Sequence, residues 1–279
     1  MSIIFVMQMS LIYLVFGLIA LFGIIFNFYQ QKNMYGGISL LIFGMCLYLY
    51  NRRPPMENLV VVVSPDYPPY CSIKNGQIVG IDISLLEDVA KLMNKKLEIK
   101  VMNFNFLFNH LHQKKSQIAA GGLSINVERE KNCHFSMPYI PALCSVVYKK
   151  KITLNSDFIG TIGVQSGSIF VEIIKNKFPR AKILEMDDFL LLVEGFKSNK
   201  NQIDVLVGDS IVLLEVFGNR SHDFYMKRIS VSPTISHGTA FALSTTVNLD
   251  EFNLNLSHAI KKNRKLNALL SQVQNLEEL

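Results

Sequence analysis

The chain has 279 residues, enough for one or two domains with a sizeable core. Its net charge of +6 is spread along the sequence, with short clusters at Lys149–Lys151 and Lys261–Lys265 that read as solvated faces or helix ends; they imply no nucleic-acid partner. Four cysteines show neither CxxC nor metal-ligand spacing, so no metal and no cofactor is expected. Cys71, Cys133 and Cys144 leave two alternatives, one disulfide or buried free thiols.

Hydrophobic residues make up 49% of the chain but are concentrated at its start. Residues 3–29 carry no charge and are long enough for a hydrocarbon core of roughly 30 Å. After Gln30-Gln31-Lys32-Asn33, residues 34–50 are again uncharged and close to the lower limit of ~17 residues for a span. No basic n-region or small-x-small cleavage site is present, so residues 1–55 are expected to be a membrane anchor of one or two transmembrane helices in the lipid bilayer. Lys32 against Arg52 and Arg53 would by itself place residues 56–279 in the cytoplasm, by a margin of a single charge.

From residue 56 the pattern alternates between strand and helix. Leu59–Ser64 is a β-branched run suited to a strand buried on both faces. Pro65–Tyr70 is a Pro-rich loop, and Asn75-Gly76 signals a hairpin. Asp82–Leu92 places Ile83, Leu86, Val89 and Ala90 on one helical face. A strand at 97–101, a helix at 106–113 and a strand at 118–120 complete a β-α-β-α-β unit, which implies a mostly parallel sheet. A similar unit starts near Phe158, with strands at 161–164, 182–185 and 205–207 and helices at 168–177 and 188–197. Ser145–Lys150 reads as an extended crossing between the units, and Phe241–Leu243 as a strand before a largely helical 249–274. The economical fold is α/β with two lobes, about 57–147 with 238–279 and about 150–235. They are joined by crossings near Tyr148 and 236–241, with ligands at strand ends facing the cleft.

Four constellations bear on chemistry. Asn126 is a good N-cap that puts Arg129 in a first helical turn beside Gly121–Ile125, where a planar fork can meet a carboxylate with Ser124 assisting. An isolated arginine of this kind is ordinarily a surface residue. Gly163–Ser168 leads a strand through Gly167 into a helix whose first amides suit an anion. Asp209 comes just after the buried run Val205–Val207 and could pair with an ammonium, although an aspartate there is more often the next helix's cap. The aromatics of Pro65–Tyr70, with Phe104, could pack over a ligand, or simply pack.

Together these describe a site for an amino acid. From Leu59 to about Gln272 the chain resembles the family 3 periplasmic solute-binding proteins. The resemblance is carried by Ser64–Tyr70, Gly80-Ile81-Asp82, Gly121–Arg129, Phe135–Tyr139, Gly163–Ser168 and Val207–Asp209. It implies a type II periplasmic-binding-protein clamshell that binds a polar amino acid outside the cytoplasm for the membrane subunits of an ABC importer. It also implies roles: Tyr67 over the ligand, Phe104 as a second wall, and Gly122 and Ser124 against its polar head. Arg129 would clamp the carboxylate, Gln165 with the Ser168 and Ile169 amides would close from the second lobe, and Asp209 would hold the ammonium. The implied extracytoplasmic location outweighs the one-charge bias of the anchor. The family's acid at the start of the Pro-rich loop is Ser64 here, which argues against a strongly cationic ligand; Ser84, Lys114–Gln117 and His134 also depart from its pattern. A ligand-sensing module of a signalling complex is the alternative. A dehydratase-like or transglycosylase-associated enzyme is disfavoured, because no Ser-His-Asp or paired-carboxylate arrangement stands out.

Overall fold

A computed structural model describes residues 15–23, 25–26, 40–48, 56–149, 151–198, 202–218 and 224–279. The chain divides into two compact units, residues 1–57 with 92–96, and residues 58–91 with 97–279.

In the first unit, residues 15–23, 25–26 and 40–48 are helical. A Cβ placed on Gly17 would lie 3.8 Å from the Cβ of Cys46, so the two helical stretches approach closely there. Among the described residues no helix is long and apolar enough to cross a membrane. Much of the expected spans 3–29 and 34–50 lies outside the described residues.

The second unit holds two five-stranded sheets. Strands β1 (Asn58–Val63), β5 (Lys96–Val101), β6 (Ile118–Ala120), β7 (His134–Phe135) and β13 (Ala242–Leu243) form the first, in the order β5-β1-β6-β13-β7. β1 and β6 run parallel through Val61–Ile118 and Val63–Ala120, and β13 is antiparallel to β6. Val61, Val62 and Val63 are fully buried, as a β-branched run covered on both faces should be. Helix α1 (Ile81–Leu92) packs its apolar stripe, including Leu85, Leu86 and Val89, into this lobe. Helix α2 (Leu107–His112) packs on β1 and β6 through the buried Leu107 and Leu111. Between β1 and α1, β2 (Asp66–Tyr67), β3 (Cys71–Lys74) and β4 (Gln77–Val79) form a small antiparallel ribbon. The ribbon's loop is tied to the start of α1, whose Ile81 and Asp82 amides donate to the Pro69 and Tyr70 carbonyls at 2.9 and 3.1 Å. Gly80 adopts φ +153° where a Cβ would strike the Tyr70 carbonyl, so only glycine fits.

The second sheet has the order β10-β9-β11-β8-β12, from β8 (Cys144–Lys149), β9 (Thr161–Gln165), β10 (Lys182–Met186), β11 (Val205–Gly208) and β12 (Phe224–Ile229). β9, β10 and β11 are parallel, and β8 is antiparallel to β11 and β12. The expected crossing at 145–150 is therefore an internal strand. Its residues Val146 and Val147 are fully buried, and the crossing itself lies before Cys144. Apolarity on both faces was the signal that distinguishes a sheet strand from a linker.

The expected C-terminal helix is two: α7 (Leu249–Lys262) and α8 (Arg264–Gln274), separated at Asn263, which caps the second by accepting from the Leu266 amide at 3.0 Å. α7 seats Phe252 against Phe241 of the first lobe. The expectation placed all of 238–279 with that lobe, but α8 packs on α6 (Ser210–Phe217), and the tail bonds to Arg228 of β12 through Leu279. Cys71, Cys133 and Cys144 are buried free thiols. Burial pushes the Cys133 thiol up to about 11 and the other two higher still.

The Asp82 carboxylate joins the pieces of the first lobe's cleft wall. It accepts from the Gly121 and Gly122 amides at 2.8 and 3.0 Å and from the Tyr139 hydroxyl at 2.6 Å. Asp82→Ala leaves these donors without their acceptor, and at about 1–3 kcal/mol per unsatisfied buried group the loss should exceed about 3 kcal/mol. Urea unfolding of the full chain in detergent, followed by circular dichroism, measures it; a loss below about 1 kcal/mol would contradict this account.

Candidate functional site

The two lobes meet along a cleft, and the residues singled out in the sequence line it unevenly. Asn126 caps α3 (Val127–Glu130) as expected, its Oδ1 accepting from the Arg129 amide at 2.8 Å. Arg129 then extends across the cleft. Nη1 donates to the Ser124 carbonyl at 2.7 Å and Nη2 to the Gly167 carbonyl of the second lobe at 3.2 Å. The guanidinium sits 4.7 Å from the Phe108 ring centre and 5.7 Å from that of Phe104, a cation–π arrangement. Burial lowers its pKa to about 10, so it remains a cation at neutral pH. The Arg129 contact with Ser124 is thus through that residue's backbone and not its hydroxyl.

On the second lobe, α4 (Phe170–Lys177) comes after the turn that ends β9. Both the Ser168 amide and its hydroxyl point back to the Gln165 carbonyl, at 3.3 and 2.7 Å, and Ile169 is buried. The Ser168 amide is therefore committed to its own turn rather than directed across the cleft. Gly167 adopts φ +70°, and a Cβ there would come within 2.9 Å of Asn105 Oδ1 in the first lobe. Gln165, almost fully buried, donates Nε2 to Asp66 Oδ2 and to the Asp187 carbonyl, each at 3.2 Å.

Asp209 is both cap and cleft group. Its Oδ1 accepts from the Ile211 amide at 2.8 Å at the start of α6, and its Oδ2 accepts from the Tyr70 hydroxyl of the first lobe at 3.1 Å. Its own amide donates to the Tyr67 hydroxyl at 3.2 Å. Burial raises the carboxyl to about 7 in spite of these donors, because desolvation penalises the ionised form. Burial also holds the Tyr67 and Tyr70 phenols well above their ordinary range, so Tyr70 remains a donor. Gly122, at φ +69°, lies under both tyrosines; a Cβ would come within 2.7 Å of the Tyr70 ring and 3.1 Å of Tyr67.

Sequence reasoning overlooked Asp66, Asn105 and Phe189, and took Tyr70 as a packing aromatic without its hydroxyl's bond to Asp209. Asp66 Oδ2 accepts from Gln165 and from the Phe189 amide at 3.2 Å, the latter at the start of α5 (Phe189–Ser198). Asn105 Nδ2 donates to Asp187 Oδ1 at 2.9 Å across the cleft. Tyr67 meets the Phe189 ring edge-on at 4.9 Å. The only sequence hint was position: Asp66 and Tyr70 belong to the same Pro-rich loop as Tyr67. Among the described residues there is no group of three or more His, Cys, Asp or Glu side chains that could hold a metal.

Two α/β lobes with a cation from one and a buried carboxylate from the other facing a shared cleft define a solute-binding receptor. The chain belongs to the bacterial extracellular solute-binding proteins, family 3, whose family model matches residues 59–275. It is 28% identical to an arginine-binding periplasmic protein of Mannheimia haemolytica over 73% of this chain and 86% of that protein. It is 32% identical to the arginine-binding extracellular protein ArtP of Bacillus subtilis, over 56% of this chain and 62% of that one. Among solved structures, it superposes on an ancestral arginine-binding protein bound to arginine with a TM-score of 0.66 and 25% identity, covering 77% of this chain and 97% of the other. The fold is thus that of the type II periplasmic-binding proteins.

Raising the Asp209 pKa above its ordinary value means that a proton stabilises the ligand-free fold. That stability is present at low pH and is lost as pH rises through about 7. Asp209→Asn keeps a capping side chain without the charge, so it should melt higher than wild type at pH 8 and lose that advantage by pH 5. Thermal melts of both chains from pH 5 to 8 measure the crossover; parallel melting curves would contradict the raised pKa.

Proposed function

We propose that the protein is a membrane-anchored, extracytoplasmic receptor that captures a polar amino acid, or a similar zwitterion, for an ABC-type importer. The observation that carries this reading is the placement of Arg129 and Asp209 on facing lobes, one a cation and the other a buried carboxylate, each already reaching across the cleft. A zwitterion offers each of them a charged partner. Its carboxylate would take the guanidinium from the Ser124 and Gly167 carbonyls, and its ammonium would take Asp209 from the Tyr70 hydroxyl. In both exchanges a bond with one ionised partner gives way to one in which donor and acceptor carry opposite charges.

Tyr67 and Phe104 would wall the ligand, Gly122 and Ser124 would contact its polar head, and Gln165 and Ile169 would close from the second lobe on the turn that Ser168 holds. The relatives' arginine binding supports an amino acid as the class of ligand. For the anchor, support comes from the uncharged runs 3–29 and 34–50. The described helical residues Phe16, Leu18, Ile19, Phe22, Leu41 and Met45 also hold their side chains outward, as lipid-facing residues do.

A thermal-shift screen of the full chain in detergent against the amino acids should find a ligand, with about 2.7 kcal/mol of stabilisation at 100 times its dissociation constant. With that ligand, Arg129→Ala and Asp209→Ala should each lower affinity by roughly two to four orders of magnitude, as breaking one side of a buried pair does. Arg129→Lys should also weaken binding, because an ammonium cannot reproduce the fork. Equal calorimetric affinities across the variants would refute this assignment. A reporter active only outside the cytoplasm, fused after Leu279, should give signal; activity only from a cytoplasmic reporter would refute the import reading.

A further inference from the structure

We propose that the cleft closes without a ligand by taking up one proton on the Asp209 carboxyl, and that an amino acid binds by displacing that proton, so that capture weakens in acid surroundings. The proposal rests on the amino-acid reading above and adds its regulation. Asp82 and Asp209 are both buried, one in each lobe, and none of the ion pairs among the described residues involves either of them. Their hydrogen-bond partners are amides and hydroxyls. Each carboxylate is therefore out of water without a countercharge, a costly state that a proton relieves.

The groups facing Asp209 offer it no neutralising cation. The Pro-rich loop supplies the Tyr67 and Tyr70 hydroxyls, with Asp66 beyond Tyr67. β8 supplies the Cys144 thiol and the Ser145 hydroxyl, which pairs with Ser210 at 2.7 Å. Asp82 faces it from α1, Tyr139 from the segment after β7, and the apolar Phe189 ring from α5, beside Gly208. Lys265 of α8 pairs with Glu215 towards the far end of α6, and Lys177 of α4 acts on Cys144.

Burial is the main cause that raises the Asp209 carboxyl to about 7, and the Asp82 charge on the facing lobe raises it further. Closure thus brings two carboxylates towards each other, and one proton relieves both. Asp209 is the one that takes it. Three donors hold Asp82, whereas the oxygen that Asp209 turns to the cleft meets a phenol, which can accept as well as donate. With the lobes apart the Asp209 carboxyl regains water and an ordinary value near about 4. Ligand-free closure is therefore fully supported below about pH 4 and loses that support as pH rises through about 7. An amino acid's ammonium brings the missing charge itself and needs the carboxylate ionised, so it competes with the proton.

Calorimetry of the full chain in detergent with L-arginine and L-glutamine, in buffers of different ionisation enthalpy, counts the protons. Binding at about pH 5 to 6 should release close to one proton, and affinity should be roughly a hundredfold weaker at about pH 5 than at about pH 8. Neutron scattering of the ligand-free chain, with the detergent contrast-matched, should give a smaller radius of gyration at about pH 5 than at about pH 8, and Asp209→Asn should stay compact at both. Affinity that is flat across this range, with no proton released, overturns the proposal and leaves the amino-acid reading intact. A wild-type radius that does not change with pH overturns it as well. Failure of every amino acid to bind, even at about pH 8, refutes that reading and with it the displacement, while the scattering still decides whether the cleft closes on a proton. The wild-type measurements suffice even if Asp209→Asn does not fold.

Discussion

Buried carboxylates are the constraint on which the cleft depends. An ionised carboxylate out of water is costly unless it is paired or hydrogen-bonded, so each one gathers donors around itself. Asp82 is fully buried and draws in two consecutive backbone amides, Gly121 and Gly122, and the Tyr139 hydroxyl. That bonding fixes the turn after β6, and the turn in turn forms the floor beneath Tyr67 and Tyr70. Even with three donors, burial holds Asp82 up at about 6, so the desolvation cost is offset only in part. The first turn of α1, the glycine turn and the Phe135–Tyr139 segment are held in one arrangement by a single side chain.

Asp209 applies the same chemistry between lobes rather than within one. One oxygen caps α6 and belongs to the second lobe; the other takes its donor from Tyr70 in the first. Asp66 does the converse, rooted beside Ser64 in the first lobe and bonded to the start of α5 in the second. Arg129 adds a cationic reach to the Gly167 carbonyl. The two lobes are therefore joined across the cleft by polar bonds at Asp209, Asp66 and Arg129. The Tyr67–Phe189 ring pair adds one apolar contact between the lobes.

Much of the architecture was legible in the residues. The valine run of β1, the apolar stripe of α1, the Asn126 cap and the Asn75-Gly76 turn arise from local chemistry, since period and cap residues act within a few positions. The resemblance to the family was likewise carried by short motifs in order. Tyr67, Gly122, Arg129, Gln165 and Asp209 do converge on one cleft. Ser124 contributes through its carbonyl to Arg129, and Ser168 turns both amide and hydroxyl back into its own loop. Which of its polar atoms a residue presents depends on backbone orientation, which residue identity does not encode.

The sequence by itself determined the alternation of strand and helix, the order of the two lobes and the chemical kinds of group available for a ligand, because these rest on periodicity and residue type. Only the tertiary structure decided that β8 is an internal strand, that α8 returns to the second lobe and that Tyr70 and Asp66 belong to the cleft. Each of these depends on contacts between residues far apart in the chain. Tyr70 meets Asp209 across 139 positions and Asp66 meets the Phe189 amide across 123. A carboxylate that bridges two lobes carries no local signature; what defines it is the donor that folding brings within reach.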